Sequence, residues 1–551
     1  MMIKKIFLNN YSKSIKGYLL LFILFLLISC KNDSSGSKDS FFSFGSDEVE
    51  ILGTADIIQQ ELTTEENLKL LRKDSALAFY KRRNFEPAWQ DHDTRENLLK
   101  TFDEAEVEGL YAKDYHGEEI RKKLENIQDL DDTEKSRLDI ILTDAFLEFG
   151  EHLLNGKTNP KNFHEIYDVP RDSLSTLSIL EEVVQEKKLE ESIEKLRPHH
   201  PLYFGLIESS REYKKLKENF KGFEIIPEGE MVKAGEKDQR LPLIQERLKF
   251  FGHLNEVDST NVTNSENIQE ALKSFQKENG IEADGIIGNS TIKMLNKGYD
   301  KRYEDVLVNL ERWRWYPREL GDHYIIVNIA NFQLHVVKDN DTVKSHKTMV
   351  GTEARKTPIF SEEIDHIVFN PTWTIPPTIK TRDVIPGMRK NSNYLSRKNI
   401  EVYDASGSPV SASSINWNGD EAQSYTFRQE PGVTNPLGRV KIMYPNQYLI
   451  YLHDTPSKAL FERDSRSESS GCVRVEDAIG LAEYLLSDQG QYSSKKIEEI
   501  IAKGATKQIE MKQKVKVYHL YWTAWRENGK TRFTEDIYNY DNKILEALKA
   551  S

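Results

Sequence analysis

Two side chains 19 residues apart set the chemical question for this sequence. Cys472 ends the run Ser469-Ser470-Gly471-Cys472 and is followed by Val473-Arg474, and His453 stands upstream in Tyr451-Leu452-His453-Asp454. A thiolate is a strong nucleophile, and a histidine within reach can take its proton and later handle the proton of an amine. An amphipathic helix is expected over 476–486, with Ala478, Leu481, Ala482 and Leu485 on one face. Its positive end, together with Arg466 and Arg474, would favour the thiolate. Gly471 would free backbone N–H groups to form an oxyanion hole. A cysteine that serves only as a small buried hydrophobe is the competing reading, because such pairs also arise by chance.

The elements that must position this pair are strands. Ile325, Val327 and Ile329, then Leu334 and Val336, alternate with polar residues, and further strands are expected over 366–369, 439–443 and 448–452. Tyr451 lies two residues before His453, so its ring faces the same side of its strand and could wall a pocket. Between Trp373 and Pro436 runs a long segment rich in Ser, Asn and Pro, which reads as an irregular lid or binding loop. Upstream, 57–223 carries helical periodicity, with Leu68, Leu71 and Ala78, then Leu138, Ile141, Leu142, Ala145 and Phe149, at helical spacing. His116, His152, His199 and His200 occur there without any metal-ligand spacing and read as surface or core residues. A three-helix unit follows over 240–296, its turn marked by Gly280, Gly285 and Gly288.

Composition narrows the function classes. The chain has 551 residues with 76 basic and 89 acidic side chains, a net charge of −13, which argues against nucleic acid as the main partner. Mean hydropathy of −0.62 excludes a polytopic membrane protein. Two cysteines exclude a disulfide framework. The first of them, Cys30, closes a short apolar run preceded by Lys4, Lys5, Lys13 and Lys16, which has the shape of a signal peptide. Leu27-Ile28-Ser29-Cys30 resembles the bacterial lipoprotein cleavage box, and an ordinary secretory signal is the alternative. The Ser- and Gly-rich stretch after it reads as a tether. Phosphate-loop, dinucleotide, Gly-x-Ser-x-Gly and zinc-hydrolase motifs are absent.

Two resemblances then join these parts. FQKENGIEADGIIGNSTIKMLN is similar to the small three-helix peptidoglycan-binding module, although its signature residues encode core and turns, so a packing module that touches no glycan stays open. YLIYLHDTPSKALFERDSRSESSGCVRVEDA resembles the active-site signature of bacterial L,D-transpeptidases. ERWRWYP, NPTWTIP, QEPGVTNPLGRVK, YHLYWTAW and, in the helical region, LLNGKTNP and RPHHPLY are similar to the large multidomain branch of that family, which places Ser470 where smaller members carry a second histidine. The expected architecture is multidomain α+β: a signal peptide over 1–29, a tether over 30–55, a helical scaffold domain over 56–235 and a peptidoglycan-binding-like module over 236–300. A β-rich catalytic domain would follow over 305–505 with a lid-like insertion at about 373–436, and then a C-terminal extension over 506–551 packed on it.

The resemblance implies a two-step acyl transfer. Cys472 would attack a tetrapeptide stem and expel D-alanine, and a side-chain amine of a second stem would then take the acyl group from the thioester. It assigns proton transfer to His453, orientation of the imidazole to the backbone of Asp454, and the oxyanion to the N–H groups of Gly471 and Cys472. Tyr451, Trp373, Arg466, Arg474 and Ser470 are expected substrate contacts, though Arg474 could equally be a structural clamp and Trp373 core. No cofactor or metal is expected. Peptidoglycan is the expected partner, carbapenem β-lactams the expected covalent inhibitors, and a membrane the expected anchor through an acylated Cys30 in the cell envelope. Hydrolysis of the same acyl-enzyme, giving an L,D-carboxypeptidase, and a non-catalytic wall tether are the alternatives.

Overall fold

A computed structural model of the protein describes residues 54–64, 68–463 and 465–550. The expected signal peptide, Cys30 and most of the expected tether lie outside the described residues. Among the described residues no helix is long and apolar enough to cross a membrane.

The scaffold is organised by the helix Asp132–Asn155, which starts with a capping box in which Asp131 and Glu134 each satisfy the other's backbone N–H. Leu138, Leu142, Ala145 and Phe149 bury one side of it completely. The same helix also buries Asp139, whose carboxylate accepts the N–H groups of Ala88 at 2.9 Å and Trp89 at 2.8 Å and the Tyr80 hydroxyl. Burial pushes that carboxyl up to about 6.

The module after it has helices Leu241–Phe250, Glu266–Glu278 and Asn289–Leu295. Its signature glutamine is structural. Gln276 is buried, and its amide donates to Asp284 at 2.9 Å and to the Ile286 carbonyl at 2.9 Å while its oxygen accepts the Gly285 N–H at 2.8 Å. Gly285 sits at φ +74°, so the Asp-Gly turn and the helix lock each other.

The β-rich part is a twelve-stranded sheet. Its spatial order begins Tyr167–Asp168, Ile359–Glu363, Lys516–Leu520, His323–Asn328, Gln333–Lys338 and Asp341–Gly351. It continues through Val473–Val475, Leu452–His453, Val440–Met443, His366–Phe369 and Lys507–Glu510, with Ser467–Ser469 beside Asp341–Gly351. Two expectations change here. The segment after 505, expected as an extension, supplies two strands, and Lys516–Leu520 lies between His323–Asn328 and Ile359–Glu363 inside the sheet. A strand buried on both faces is a continuous apolar run, and this one is too short to stand out in sequence. The scaffold also contributes Tyr167–Asp168 to the sheet edge.

The insertion is folded rather than irregular. Trp373–Thr374, Thr426–Gln429, Ile400–Tyr403 and Pro409–Val410 form a four-stranded sheet in that order. Ile375, Val384, Ile385, Met388, Leu395 and Phe427 give it a core separate from that of the main sheet. Strands of two to four residues are too brief for alternation to show.

The motif ERWRWYP knits scaffold to sheet. Buried Glu311 pairs with Arg314 at 2.7 Å and accepts the Thr158 N–H at 2.6 Å. Gly156 sits at φ +83°, where a Cβ would come within 2.7 Å of the Trp315 ring. That contact explains the glycine in LLNGKTNP.

Candidate active site

Three neighbouring strands build the site. Leu452–His453 runs parallel to Val473–Val475 with Leu452 opposite Val473 and His453 opposite Arg474. It runs antiparallel to Val440–Met443 with Lys441 opposite His453 and Ile442 opposite Leu452. Val440, Ile442, Leu452 and Val473 are fully buried in the core. Side chains alternate along a strand, so Lys441, Tyr451, His453, Cys472 and Arg474 share the opposite face.

His453 is buried, and its Nδ1 donates to the Asp454 carbonyl at 2.5 Å. That bond fixes the neutral tautomer with Nε2 free to accept a proton. Burial, followed by the positive charge of Arg474, pulls the imidazole down to about 3, so it is neutral at neutral pH. The Asp454 side chain points elsewhere, accepting the Arg439 N–H at 2.8 Å and pairing with Lys458 at 2.6 Å. Only the backbone of Asp454 therefore meets the imidazole.

Cys472 retains partial exposure, and its Sγ donates to the Leu449 carbonyl at 3.5 Å. Removal from water pushes the thiol up from its usual value. The N–H and hydroxyl of Tyr451, then Lys441 and Arg474, act in the opposite direction. The Tyr451 and His453 rings lie 5.6 Å apart on this face.

Three expectations about the thiol are corrected. The helix is Ala478–Leu485, capped by Asp477, and the strand Val473–Val475 separates it from Cys472. Its dipole, which fades within a turn, does not reach the sulfur. Arg466 is buried and donates to the carbonyls of Arg463 at 2.8 Å, Thr348 at 3.2 Å and Phe332 at 3.3 Å. Those carbonyl bonds pin the loop. Gly471, at φ +118°, donates its N–H to Ser469 Oγ at 3.1 Å, so that amide is not free for an oxyanion. The Cys472 N–H carries no hydrogen bond among the described residues.

Several participants have no sequence motif. Buried Ser469 accepts the Gly471 N–H and donates to the Cys472 carbonyl at 2.6 Å, clamping the loop from inside. Thr357 Oγ1 donates to the Gly471 carbonyl at 2.8 Å. Exposed Ser470 receives a hydrogen bond from Arg355 at 2.9 Å. Lys441 places its ammonium 3.8 Å from the centre of the Tyr451 ring. Its one sequence signal is a lysine between Val440 and Ile442 in an otherwise apolar strand. Arg474 donates to Met349 Sδ at 3.8 Å, and its Nε is buried without a partner. Far from the thiol, Asp365, His366 and Glu510 bring ligand atoms within 4.8 Å of one another. His366 Nδ1 and Lys514 Nζ already lie 3.0 Å and 3.6 Å from the Asp365 carboxylate there.

Comparison with known families decides what the sheet and its cysteine face belong to. The family model described as the L,D-transpeptidase catalytic domain matches residues 322–517. Residues 322–517 are an L,D-transpeptidase catalytic domain. The match runs past 505, takes in Lys507–Glu510 and ends within Lys516–Leu520. Ahead of this L,D-transpeptidase domain, residues 74–209 match a scaffold domain and residues 237–295 a "Putative peptidoglycan binding domain". A "Putative L,D-transpeptidase" of Haemophilus influenzae is 36% identical over 221 residues. That match spans 40% of this chain and 45% of the relative, less than half of either. An L,D-transpeptidase structure from Stackebrandtia nassauensis is 12% identical, with 54% of this chain and 96% of that chain covered and a TM-score of 0.20. One from Xylanimonas cellulosilytica is 13% identical, with 53% and 98% covered and a TM-score of 0.16. Scores that low carry no structural argument, and the assignment of the L,D-transpeptidase domain rests on the sequence match.

Proposed function

We propose that the protein crosslinks peptidoglycan stems by a cysteine-dependent L,D-transpeptidase reaction. The observation that carries this reading is the strand register that puts Cys472 and His453 on one face, with the imidazole locked by Asp454 so that Nε2 accepts. Cys472 Sγ attacks the carbonyl that joins the third stem residue to the terminal D-alanine, and the thiol proton passes to His453 Nε2. The C–N bond breaks, the departing amine takes that proton, and D-alanine leaves a thioester behind. The side-chain amine of a second stem then attacks, gives its proton to His453, and the returning thiol completes the cycle. The Cys472 N–H is the backbone donor left for the oxyanion.

Trp373, Tyr451, Arg474 and Ser470 are the proposed substrate contacts. Cys30, in its lipoprotein-like box, is proposed to carry the lipid that holds the enzyme at a membrane of the cell envelope, with the 237–295 module bringing peptidoglycan to it. The test is mass spectrometry of products after incubation of the protein with disaccharide tetrapeptide. Crosslinked dimer and free D-alanine are expected, with none from Cys472→Ser. Trimmed tripeptide alone would make the enzyme a carboxypeptidase, and no change in the substrate would make it a tether. A carbapenem adduct should likewise form on Cys472 and be absent from Cys472→Ser.

A further inference from the structure

The face that carries Cys472 holds a cation without a carboxylate partner. Lys441 stands opposite His453 in its strand pair, half-buried, with its ammonium over the Tyr451 ring. Leu452, the next residue, pairs with Val473 in the parallel strand, so Tyr451 stands beside Cys472 on this face. Among the described residues, Cys472 is the charge that acts on this ammonium. Burying a lysine without a counter-ion is costly, and a site that retains one has a transient negative charge to match.

We propose that Lys441 is the positioning cation of the nucleophile: its ammonium stabilises the thiolate of Cys472 while His453 stays neutral and free to carry protons. This rests on the reading of Cys472 as the nucleophile. The bond that breaks is S–H, its proton goes to His453 Nε2 during attack, and the ammonium keeps its own three protons. A resting imidazolium cannot supply the counter-charge, because burial and the cations Arg474, Lys441 and Lys458 disfavour it.

Other groups face the sulfur as well. They are Tyr451 and His453 from their strand, Arg474 from Val473–Val475, and Tyr444 just past Val440–Met443. Both cations flank the imidazole, Lys441 opposite His453 in one strand pair and Arg474 in the other. The Tyr451 ring holds the lysine on this face by a cation–π contact.

The test is the pH dependence of Cys472 alkylation by iodoacetamide on the full chain, read by mass spectrometry of the Cys472 peptide so that Cys30 does not contribute. Lys441→Met keeps the stem over Tyr451 and removes the charge. It should move the inflection up by about one pH unit and slow alkylation about tenfold at pH 7, the lower end for an opposite charge nearby. Lys441→Arg should restore the rate to within about threefold of the parent. A Lys441→Met profile that superimposes on the parent overturns the proposal. A second measurement needs no variant: capping Cys472 with a neutral S-methyl group should lower the titration of the Lys441 ammonium in lysine-selective NMR, and an unchanged titration overturns the proposal equally. Neither readout needs turnover, so failure here leaves Cys472 in place as nucleophile, whereas an adduct that persists in Cys472→Ser removes the underlying reading instead.

Discussion

Arg355 and Asp383 form a two-pronged ion pair, Nη1 to Oδ2 at 2.7 Å and Nη2 to Oδ1 at 2.9 Å, that ties the main sheet to the insertion. The same guanidinium holds Ser470 in the loop that precedes Cys472. One arginine therefore links the insertion to the nucleophile loop.

If the insertion is a lid that excludes water from the thioester, loosening this latch should favour hydrolysis over transfer. The pair is partly exposed, with side chains 23% and 37% accessible, so its worth is about 1 kcal/mol at most. Arg355→Gln should accordingly raise the ratio of trimmed tripeptide to crosslinked dimer by no more than about fivefold, while acylation of Cys472 by a small β-lactam persists. An unchanged product ratio would show that the insertion does not guard the thioester.

The base should separate from the scaffold. His453→Ala is expected to lose roughly two to four orders of magnitude in turnover, the range for a positioned general base. Because the imidazole is neutral down to about 3, acylation by a β-lactam in the parent should show no acid limb near 6.5 and should climb with pH as the thiol ionises. A break near 6.5 in the pH–rate profile would return the imidazole to its ordinary titration.

Adjacent serines should behave differently. Ser469→Ala leaves the Gly471 N–H and the Cys472 carbonyl without their buried partner, a cost of about 1–3 kcal/mol, and should lower the melting temperature and slow acylation together. Ser470→Ala, at an exposed hydroxyl, should leave melting unchanged. Differential scanning calorimetry of the two variants, with equal melting for both, would remove the clamp from Ser469.

Acid should unfold the protein through its buried histidines. Burial lowers His453, His519 and His164 from 6.5 to about 3. An unfolded histidine takes a proton below 6.5 and a folded one resists until about 3, so the unfolded state binds more protons and stability falls as pH falls through that window. Each contributes a slope of about 1.4 kcal/mol per pH unit there. His519→Gln, at a ring that meets the Tyr444 hydroxyl at 2.9 Å, should flatten the decline between pH 6 and 4.5 by about one proton. Denaturant melts at three pH values in that range would expose a slope that the substitution leaves unchanged.

Local order in the chain determined a good deal. Helical spacing along Leu138, Leu142, Ala145 and Phe149, alternation along Ile325, Val327 and Ile329, and the Asp-Gly turn after Phe275-Gln276 reveal the helical, modular and β-rich parts, because each pattern is set by residues that touch within one element. The catalytic-domain signature around His453 and Cys472 was legible for the same reason: its residues fall within one short run. What only the tertiary structure decided is which groups face the thiol. Arg466 is near in sequence and turns away to carbonyls, Gly471 spends its amide on Ser469, and the following helix begins beyond a strand. Lys441 is 31 residues from Cys472 and stands over Tyr451 because two antiparallel strands pair Lys441 with His453 rather than with a neighbour. A slip of one residue in that register would bury the lysine in the core and turn Val440 or Ile442 to the sulfur. Register is a property of strands brought together by folding, and no spacing along the chain encodes it.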